Sequence, residues 1–385
     1  MPRRQRSTST LLGLLTATAA MSVANLYYAQ PLAEEMARGF HTTATGVSSA
    51  LVGTQLGYAA GMVLLVPLGD VRERRGVLSI TAVGAAIALL LFAFAPTVPL
   101  LAMASILVGI GTSVTQMILP FAVSLGAPEE RGKIVGTVMG GVLAGILLSR
   151  TASGALGALV GWRVVFMGAA VVMVGMAVLL RTVLPEALPR TNLSYRALLV
   201  SLGSIVKREP ILRQRALVGA LGFAAFSVFW STIAFHLKAS PIAGGTGLAG
   251  MLGILGLTGI IVAPIVGRLA MRISPVRINL IALAVLAASF VVFAAGADSL
   301  IAIGAGVVLL DAGAQASHLA NQTVIFGLAP DERSRVNAIY MVGYFTGGAF
   351  GTALAAQAWQ RGGWTAVCVA GGACAVAAAL PLARR

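Results

Sequence analysis

Charged residues are scarce in this chain. Only 10 % of its 385 residues are Asp, Glu, Lys or Arg, whereas ordinary soluble domains contain roughly 25 %. So few charges do not cover a water-facing surface, which excludes a soluble globular protein. Disorder is excluded as well, because 58 % of the residues are hydrophobic and disordered chains have low hydrophobicity. The composition therefore predicts a membrane protein.

The chain also contains only two cysteines and three histidines. Cys368 and Cys374 lie in one apolar stretch, at a spacing that fits neither a disulfide framework nor a metal site. The sequence has no His-Glu metal motif and no glycine-rich phosphate loop that ends in Gly-Lys-Ser/Thr. We therefore expect no metal and no other cofactor, and neither an enzyme nor an ATP-driven pump.

Long apolar runs dominate the sequence. Crossing a bilayer core of about 30 Å takes roughly 20 helical residues, and twelve stretches of that size occur. They span 11–32, 44–68, 77–95, 99–125, 134–156, 162–180, 217–237, 247–269, 279–295, 300–325, 336–358 and 365–382. They lack the period-two alternation of transmembrane strands. The predicted fold is therefore an all-α membrane protein with twelve transmembrane helices.

The positive charges follow this predicted topology. With the N-terminus in the cytoplasm, 22 of the 27 Lys and Arg residues lie on the inner side. Only Arg38, Arg163, Lys238 and Arg361 lie outside, and Arg150 lies within a span. This bias follows the positive-inside rule, which predicts that both termini are cytoplasmic. The net charge of +15 thus reflects membrane topology, and we expect no nucleic-acid partner.

A sequence duplication divides the chain into two halves. Residues 127–131, Ala-Pro-Glu-Glu-Arg, recur 202 positions later as Ala-Pro-Asp-Glu-Arg at 329–333. The pair Gly161-Trp162 recurs at the same offset as Gly363-Trp364. Parallel repeats of this kind occur in secondary transporters, so the sequence predicts two six-helix halves with the same orientation.

The predicted domains are a bundle at 1–184, a cytoplasmic linker at 185–215 and a second bundle at 216–385. Within the linker, Leu198, Leu202 and Ile205 recur at helical spacing beside basic residues. This pattern predicts an amphipathic helix on the inner membrane surface.

The loop after the second span carries a family motif. Residues 67–75, Pro-Leu-Gly-Asp-Val-Arg-Glu-Arg-Arg, resemble the signature Gly-x-Leu-Ala-Asp-Arg-x-Gly-Arg-Arg of the major facilitator superfamily. Residues 267–274 resemble its second-half copy, with Met271 in place of the acid. The resemblance covers the whole chain, and residues 25–31, Asn-Leu-Tyr-Tyr-Ala-Gln-Pro, are similar to the bacterial sugar- and drug-efflux branch. It implies two bundles that rock around one central site.

The resemblance also implies that the signature loop is a conformational latch. An acid is disfavoured at a helix C-terminus, so Asp70 requires partners. Nearby arginines and the N-terminus of the eleventh span would supply them in one of two states. The candidate latch residues are Asp70, Arg72, Arg74, Arg75, Arg272 and Arg277. The alternative is that the arginines only set the topology.

The tenth span contains an ionisable residue at membrane depth. Asp311 lies about 18 Å along this helix at 1.5 Å per residue, near the midplane, and Gln315, His318 and Gln322 follow on the same face. Ionisable groups inside a membrane are costly and usually functional, and imidazole titrates near neutral pH. Asp311 and His318 are therefore candidate proton-coupling residues. A structural polar seam between helices is the alternative.

The resemblance implies that the first, fourth, seventh and tenth spans line a central cavity. The 202-residue offset maps His318 onto Gln116, and it maps Trp230 and Ser227 onto the first span. The candidate cavity residues in these spans are Asn25, Tyr28, Gln30, Gln116, Ser227, Trp230, Gln315 and Gln322. Converging aromatic and amide groups suit a modestly polar organic substrate. For Gln30, packing against a neighbouring helix is the alternative.

Arg150 is the second ionisable residue at membrane depth. With Gly136, Gly145, Ser149, Ser153 and Gly154 it follows the spacing of the family's antiporter signature, Gly-x8-Gly-x3-Gly-Pro-x2-Gly-Gly. Arg150 stands at the proline of that signature, and Ser149 and Ser153 stand at glycines. We hypothesise that Arg150 lines the cavity, where it binds an anionic substrate group or approaches Asp311 in one state. Snorkelling to the outer headgroups is the alternative.

Together these features predict a secondary active transporter that moves a small organic molecule by alternating access. The expected activity is proton-coupled efflux of a drug or metabolite by antiport. The first alternative is proton symport or facilitated import of a sugar or organic anion, and the second is a non-transporting membrane sensor or lipid-handling protein. The expected partners are the substrate, protons and the lipid bilayer. We expect a monomer in the cytoplasmic (inner) membrane of a bacterium.

Overall fold

The structure is a computed structural model, which describes residues 8–127, 130–186, 194–242, 245–328 and 332–383. All the secondary structure in these ranges is helical, which confirms the all-α prediction. Several basic residues used in the topology argument fall outside the described ranges, namely Arg3, Arg4, Arg6, Arg190, Arg384 and Arg385. Parts of the repeated acidic motif, residues 128–129 and 329–331, also fall outside them.

Nine helices make up the first half in the described ranges. They are α1 (Thr8–Ala24), α2 (Ala29–Gly39), α3 (Ala44–Leu64), α4 (Leu68–Val71), α5 (Arg74–Ala93), α6 (Val98–Thr112), α7 (Thr115–Leu125), α8 (Arg131–Val160) and α9 (Trp162–Val183). Polar side chains cap the N-termini of some of these helices, as expected for unsatisfied first-turn amides. The Glu73 carboxylate, for example, accepts hydrogen bonds from the backbone N–H groups of Arg75 and Gly76 at the start of α5.

The linker and the second half contain the other seven helices of the described ranges. They are α10 (Tyr195–Arg208), α11 (Pro210–Ala239), α12 (Gly245–Leu252), α13 (Thr258–Leu269), α14 (Pro275–Ala295), α15 (Leu300–Leu328) and α16 (Arg333–Ala383). A short 3₁₀ segment, Gly253–Leu257, joins α12 to α13.

Ten helical segments in the described part of the chain are long and apolar enough to cross a membrane. One of them contains two predicted spans, because α16 continues for 51 residues through a break at Gly362 and Gly363. The predicted span at 247–269 is not one continuous helix, since the 3₁₀ segment interrupts it. The number of twelve crossings therefore stays a prediction.

A glycine with positive φ occurs at both copies of the Gly-Trp repeat. Gly161 has a φ of +84° and Gly363 a φ of +57°, a region in which glycine meets no steric penalty. Each glycine directly precedes a buried tryptophan, Trp162 or Trp364. Both copies thus interrupt helical geometry at points 202 residues apart.

Two spans that we predicted as continuous helices are interrupted near their midpoints. Residues 25–28 form a turn between α1 and α2, and residues 113–114 separate α6 from α7. In the first turn, the N–H groups of Asn25, Leu26 and Tyr27 donate to carbonyls three residues back, the 3₁₀ pattern. Because a 3₁₀ turn has about three residues per turn rather than 3.6, it changes which side chains face the protein interior.

Each half packs its own hydrophobic core. Phe92 and Phe166 pack with ring centroids 4.2 Å apart in the first half, and Phe229 and Phe293 stack at 4.3 Å in the second. Buried aromatic pairs of this kind stabilise a fold beyond their buried area. The core of the second half also includes buried residues of the first half, and the Tyr58 and Phe345 rings pack across the interface with centroids 4.3 Å apart.

The two halves contact each other near the N-terminus of α3, which we call the Thr43 end. Gln360 Nε2 donates to Thr43 Oγ1 at 3.0 Å, and Gln55 Nε2 donates to Thr352 Oγ1 at 3.1 Å. Both bonds connect α3 or its cap to α16. Direct hydrogen bonds between the halves close this end of the molecule.

A cavity separates the halves beyond the other end of α3. It has a volume of about 340 Å³ and is lined by Asp70 and Gln116 from the first half and by Phe326 and Asn337 from the second. We call it the Asp70-end cavity. The halves are thus hydrogen-bonded to each other at the Thr43 end and separated by a cavity at the Asp70 end.

The linker helix α10 contacts both halves. Leu198, Leu202 and Ile205, the residues of its predicted apolar face, are buried. Tyr195 Oη donates to the backbone carbonyl of Leu64 in the first half. Arg208 forms an ion pair with Glu332 in the second half, and this hydrogen-bonded contact raises the pKa of the Arg208 guanidinium. The helix therefore connects the two bundles directly.

The boundary between the linker and the second half differs from the prediction. We expected the second bundle to begin at residue 216, but α11 begins at Pro210. Arg215, which we assigned to the linker, consequently lies inside this helix and is only 1 % exposed. The hydropathy of the sequence does not show this boundary, because the first turns of α11 contain three polar residues, Arg213, Gln214 and Arg215.

Candidate functional site

A small buried cavity lies between the two halves, and we call it the central cavity. Its volume is about 80 Å³. The residues that line it include Tyr27, Arg150, Phe226, Asp311, Gln315 and Tyr344. The first two come from the first half and the other four from the second. The two ionisable residues that the sequence places at membrane depth are thus brought to one site.

Arg150 extends from α8 of the first half into this cavity. Its Nε donates to Gln30 Oε1 at 2.9 Å, and the side chain is only 1 % exposed. The guanidinium carbon lies 4.7 Å from the ring centroid of Tyr27, 5.3 Å from that of Phe226 and 4.1 Å from that of Trp230. Rings at this distance attract a cation through their negative faces. The guanidinium is therefore enclosed by protein rather than exposed at the molecular surface.

Asp311 faces the same cavity from the twelfth position of α15. It is 6 % exposed, and its Oδ2 lacks a hydrogen-bond partner. The indole of Trp230 lies beside the carboxyl group, but its Nε1 does not complete a hydrogen bond of normal geometry. A buried charge costs several kcal/mol unless it is paired and hydrogen-bonded. Asp311 therefore keeps a strong acceptor position that the protein itself leaves unused.

Glycine makes room for the Asp311 carboxylate. The 3₁₀ segment between α12 and α13 passes the cavity, and a Cβ built on Gly256 would lie 2.7 Å from Asp311 Oδ2 and 2.5 Å from Leu147 Cδ2. Both distances are shorter than real Cβ contacts. The 3₁₀ segment thus approaches the acid closely because it carries no side chain at that point.

His318 does not contact Asp311 directly. Its Nδ1 lies 3.1 Å from Tyr340 Oη, and its ring centroid lies 4.7 Å from that of Tyr344. Tyr344 also lines the central cavity beside Asp311. The two proton-coupling candidates are therefore connected through a tyrosine on α16 that the sequence analysis did not include.

The other candidates on α15 divide between two environments. Gln315 lines the central cavity together with Asp311. Gln322, two turns further along, is half-buried and does not line that cavity. Of the four residues on the predicted polar face, Asp311 and Gln315 line the central cavity, whereas His318 and Gln322 do not.

The first-span candidates are separated by the turn between α1 and α2. Gln30 orients Arg150, and Asn25 is buried with its Nδ2 unpartnered. Tyr28, which we placed in the cavity, instead packs edge-on against Phe166 at 6.3 Å in the core of the first half. Its neighbour Tyr27 takes the cavity position. The turn at residues 25–28 explains this exchange, because regular helical spacing does not continue through it.

The remaining cavity candidates lie in three places. Trp230 stacks over Arg150 at 4.1 Å. Ser227 is fully buried, and its Oγ lacks a hydrogen-bond partner. Gln116 lines the Asp70-end cavity and donates from Nε2 to Tyr58 Oη at 2.8 Å. The fourth span therefore contributes to a different cavity from the one that holds Arg150 and Asp311.

Two latch candidates of the first half, Arg74 and Arg75, form ion pairs at the start of α5. Arg74 Nη2 lies 2.9 Å from Asp70 Oδ1, and Arg74 Nε donates to the carbonyl of Gly69 at 3.0 Å. Arg75 Nη2 lies 2.6 Å from Glu186 Oε1. Arg74 thus compensates the Asp70 carboxylate, as expected for an acid near a helix end. Three further latch candidates are exposed, namely Arg72, Arg272 and Arg277.

Several cavity residues were missed by the sequence analysis. Tyr27, Phe226, Gly256 and Tyr344 line the cavity, but aromatic residues and glycines are frequent in membrane helices for packing alone. No residue pattern at positions 25–28 predicts the 3₁₀ turn between α1 and α2. In the described part of the chain, no three His, Cys, Asp or Glu side chains come together to hold a metal ion.

Comparison with known proteins places this architecture in a family. Residues 12–314 and 216–385 match the sequence model of the Major Facilitator Superfamily. The chain is 41 % identical to "Uncharacterized transporter YgaY" of Escherichia coli over 361 residues, which cover 94 % of this chain and 92 % of that protein. It is 32 % identical to "Probable transporter SCO4007" of Streptomyces coelicolor, over 94 % of this chain and 84 % of that protein.

A solved structure shows the same fold. The nucleoside transporter NupG superposes with a TM-score of 0.80 at 12 % identity, over 97 % of this chain and 98 % of that chain. At this identity the likeness concerns the fold alone. On the family match and its bacterial relatives, the chain belongs to the Major Facilitator Superfamily, a family of multi-pass membrane transporters rather than enzymes.

Proposed function

We propose that this transporter moves a small organic molecule by alternating access and that the central cavity is its substrate site. The observation that carries the proposal is the position of Arg150 and Asp311, which reach one buried cavity from opposite halves. A ligand held between them contacts both halves at once. Its binding then responds to any movement of one half against the other.

The proposed topology has twelve crossings. Two of them come from α16, on either side of its break at Gly362 and Gly363, and one comes from α12 and α13 together with the 3₁₀ segment. The excess of basic residues on one side of the apolar segments supports cytoplasmic termini. With that orientation the Asp70 end faces the cytoplasm, and the open Asp70-end cavity corresponds to an inward-facing state.

We further propose that transport is coupled to protons and runs in the direction of efflux. Asp311 supports this proposal because it is a buried carboxyl group in the cavity, and such groups mark proton pathways in transporters. Tyr344 contacts His318 and lines the cavity with Asp311. The route from the cavity towards the Asp70 end would therefore run from Asp311 past Tyr344 to His318.

The test is transport by purified protein in lipid vesicles that contain a trapped pH-sensitive dye. Compounds that raise the melting temperature of the protein are added outside vesicles with and without an imposed pH gradient. Substrate-driven proton movement is expected in the wild type, and Asp311→Asn is expected to abolish it. Asp298→Asn removes an exposed carboxylate and is the matched control.

Two results would contradict this proposal in different ways. Substrate-driven pH change that persists in Asp311→Asn vesicles would refute proton coupling through this residue. Compounds that bind the protein but cross the vesicle membrane no faster than in empty vesicles would refute transport and favour a sensor. Uptake of the same compounds along a pH gradient would favour symport over efflux.

A further inference from the structure

The two charged groups of the central cavity each keep an unused hydrogen-bonding atom. Arg150 Nη2 and Asp311 Oδ2 are buried and have no partner, although both residues line the same cavity. Leaving a buried N–H or carboxylate oxygen without a hydrogen bond is unfavourable, and more so when the group is charged. A complementary ligand therefore offers an anionic group to Arg150 and a cationic group to Asp311.

We propose that the substrate of the central cavity is a small zwitterion, a molecule that carries one carboxylate and one ammonium group. This inference rests on the proposed function, since it takes the central cavity as the transport site. The carboxylate pairs with the free N–H of Arg150, and the ammonium group pairs with the free oxygen of Asp311. The aliphatic part lies against the rings of Tyr27, Phe226 and Tyr344, which also line the cavity.

The fixed orientation of Arg150 favours this charge pattern. Its Nε is already bonded to Gln30, and three aromatic rings hold the guanidinium in place. The free Nη2 is therefore pre-positioned, which lowers the cost of ordering on binding. Guanidinium groups are well suited to planar carboxylates, so the anionic end of the ligand is matched to a carboxylate.

Singly charged ligands fit less well. A simple anion that pairs with Arg150 also lies near the Asp311 carboxylate, and a simple cation that pairs with Asp311 lies near the guanidinium. In a buried site such like-charge contacts are weakly screened. A zwitterion satisfies both groups and leaves the net charge of the cavity unchanged.

The volume limits the size of the ligand. A cavity of about 80 Å³ holds about six water-sized groups, at 10–15 Å³ for each. Four-carbon amino acids have this size. The probes are therefore 2-aminobutyrate and its isomer 4-aminobutyrate, in which the two charges are closer together or further apart. Butyrate lacks the ammonium group and propylamine lacks the carboxylate.

The experiment measures the melting temperature of the purified full-length protein with each probe. A ligand that binds only the folded state raises this temperature, and we expect at least one of the two zwitterions to raise it by about 2 °C or more. Butyrate and propylamine are expected to give no rise at the same concentration. In Asp311→Asn and in Arg150→Gln the preference for the zwitterion is expected to disappear.

Matched controls separate the site from general loss of charge. Asp298→Asn and Arg361→Gln each remove an exposed charge of the same type, and both are expected to keep the wild-type preference. Circular dichroism establishes first that each variant retains its helices. A lost preference for the zwitterion then reflects the site and not unfolding.

The inference is overturned if butyrate or propylamine stabilises the protein as well as the zwitterions do. It is also overturned if neither zwitterion stabilises the wild type up to its solubility limit. Binding and transport fail separately in this design. Zwitterions that stabilise the protein but do not cross vesicles refute the transport proposal alone, whereas transport of a singly charged compound without zwitterion binding refutes this inference alone.

Discussion

Arg150 and Asp311 line one buried cavity from opposite halves of the chain, but Arg150 makes its hydrogen bond to Gln30 of its own half. The bond to Gln30 is unaffected when the halves move as rigid bodies. The distance between Arg150 and Asp311, in contrast, changes with that movement. The pair is therefore placed to make ligand binding depend on the relative position of the halves.

Replacing Arg150 by lysine tests the role of the planar guanidinium. Arg150→Lys keeps the charge but loses the fork that bonds Gln30 and stacks against three rings. Because these contacts are desolvated, we expect transport to fall about tenfold or more. Arg361→Lys, at an exposed site, is expected to transport normally. Normal rates in both Arg150→Lys and Arg150→Ala would mean that Arg150 does not bind the substrate.

A side chain at Gly256 is expected to displace the Asp311 carboxyl group. Gly256→Ala places a methyl group against Asp311 Oδ2 and Leu147 Cδ2, and because both atoms end flexible side chains, they shift at a cost of about 1 kcal/mol. We expect a slightly lower melting temperature and weaker ligand binding. Gly267→Ala in α13 has open space around its Cβ and is expected to be neutral or slightly stabilising. Equal behaviour of the two variants would show that the 3₁₀ segment does not approach Asp311 this closely.

Most of the fold was predictable from the sequence because it follows from composition and periodicity. Apolar length sets the number of long helices, and the Gly161 and Gly363 turns recur at the offset that the duplication gives. The predicted start of α11 was wrong because hydropathy assigns a charged residue to a loop. Arg215 is nevertheless a buried residue inside α11.

The charged residues of the site were the clearest to predict from the sequence, and the predicted Gln30, Trp230 and Gln315 also lie at the site. Arg150 and Asp311 stand out because charges are rare inside a membrane, and the structure brings them together. Tyr27 and Tyr28 were not distinguishable, since the choice between them depends on a 3₁₀ turn. Tyr344 enters the cavity from α16, a helix that the expected cavity-lining set of first, fourth, seventh and tenth spans does not contain.

The indole of Trp230 is expected to contribute through its ring face. Its centroid lies 4.1 Å from the Arg150 guanidinium carbon, and such a desolvated contact is worth about 2 kcal/mol. Trp230→Phe keeps a ring and is expected to weaken ligand binding modestly, whereas Trp230→Leu removes it and is expected to weaken binding about tenfold or more. Thermal shift with the compounds that stabilise the wild type measures both. Identical affinities for the phenylalanine and leucine variants would exclude a cation–π role.

The Asp70–Arg74 ion pair is expected to stabilise the fold of the first half at the Asp70 end. Asp70 Oδ1 lies 2.9 Å from Arg74 Nη2, and the arginine side chain is only 6 % exposed. Asp70→Asn leaves that buried cation without its carboxylate, which costs about 1–3 kcal/mol. We expect a lower melting temperature and slower transport, and the exchange of the two residues, Asp70→Arg with Arg74→Asp, is expected to restore part of both. A double variant as impaired as the single one would argue against the pair.

Closure at the Thr43 end is testable by cross-linking. Thr45 Oγ1 donates to the backbone carbonyl of Ala356 at 3.4 Å, so the first and second halves approach each other closely at this point. The exposed side chains of Thr43 and Gln360 are hydrogen-bonded at the same end. In a protein whose two buried cysteines are replaced, Cys368→Ala and Cys374→Ala, the pair Thr43→Cys and Gln360→Cys is expected to react with a short thiol cross-linker. Because the cross-link holds this end shut, transport should stop and should return when a cleavable cross-linker is reduced. The single variant Thr43→Cys in the same background is the control, and full transport by the cross-linked protein would mean that the halves do not separate at this end.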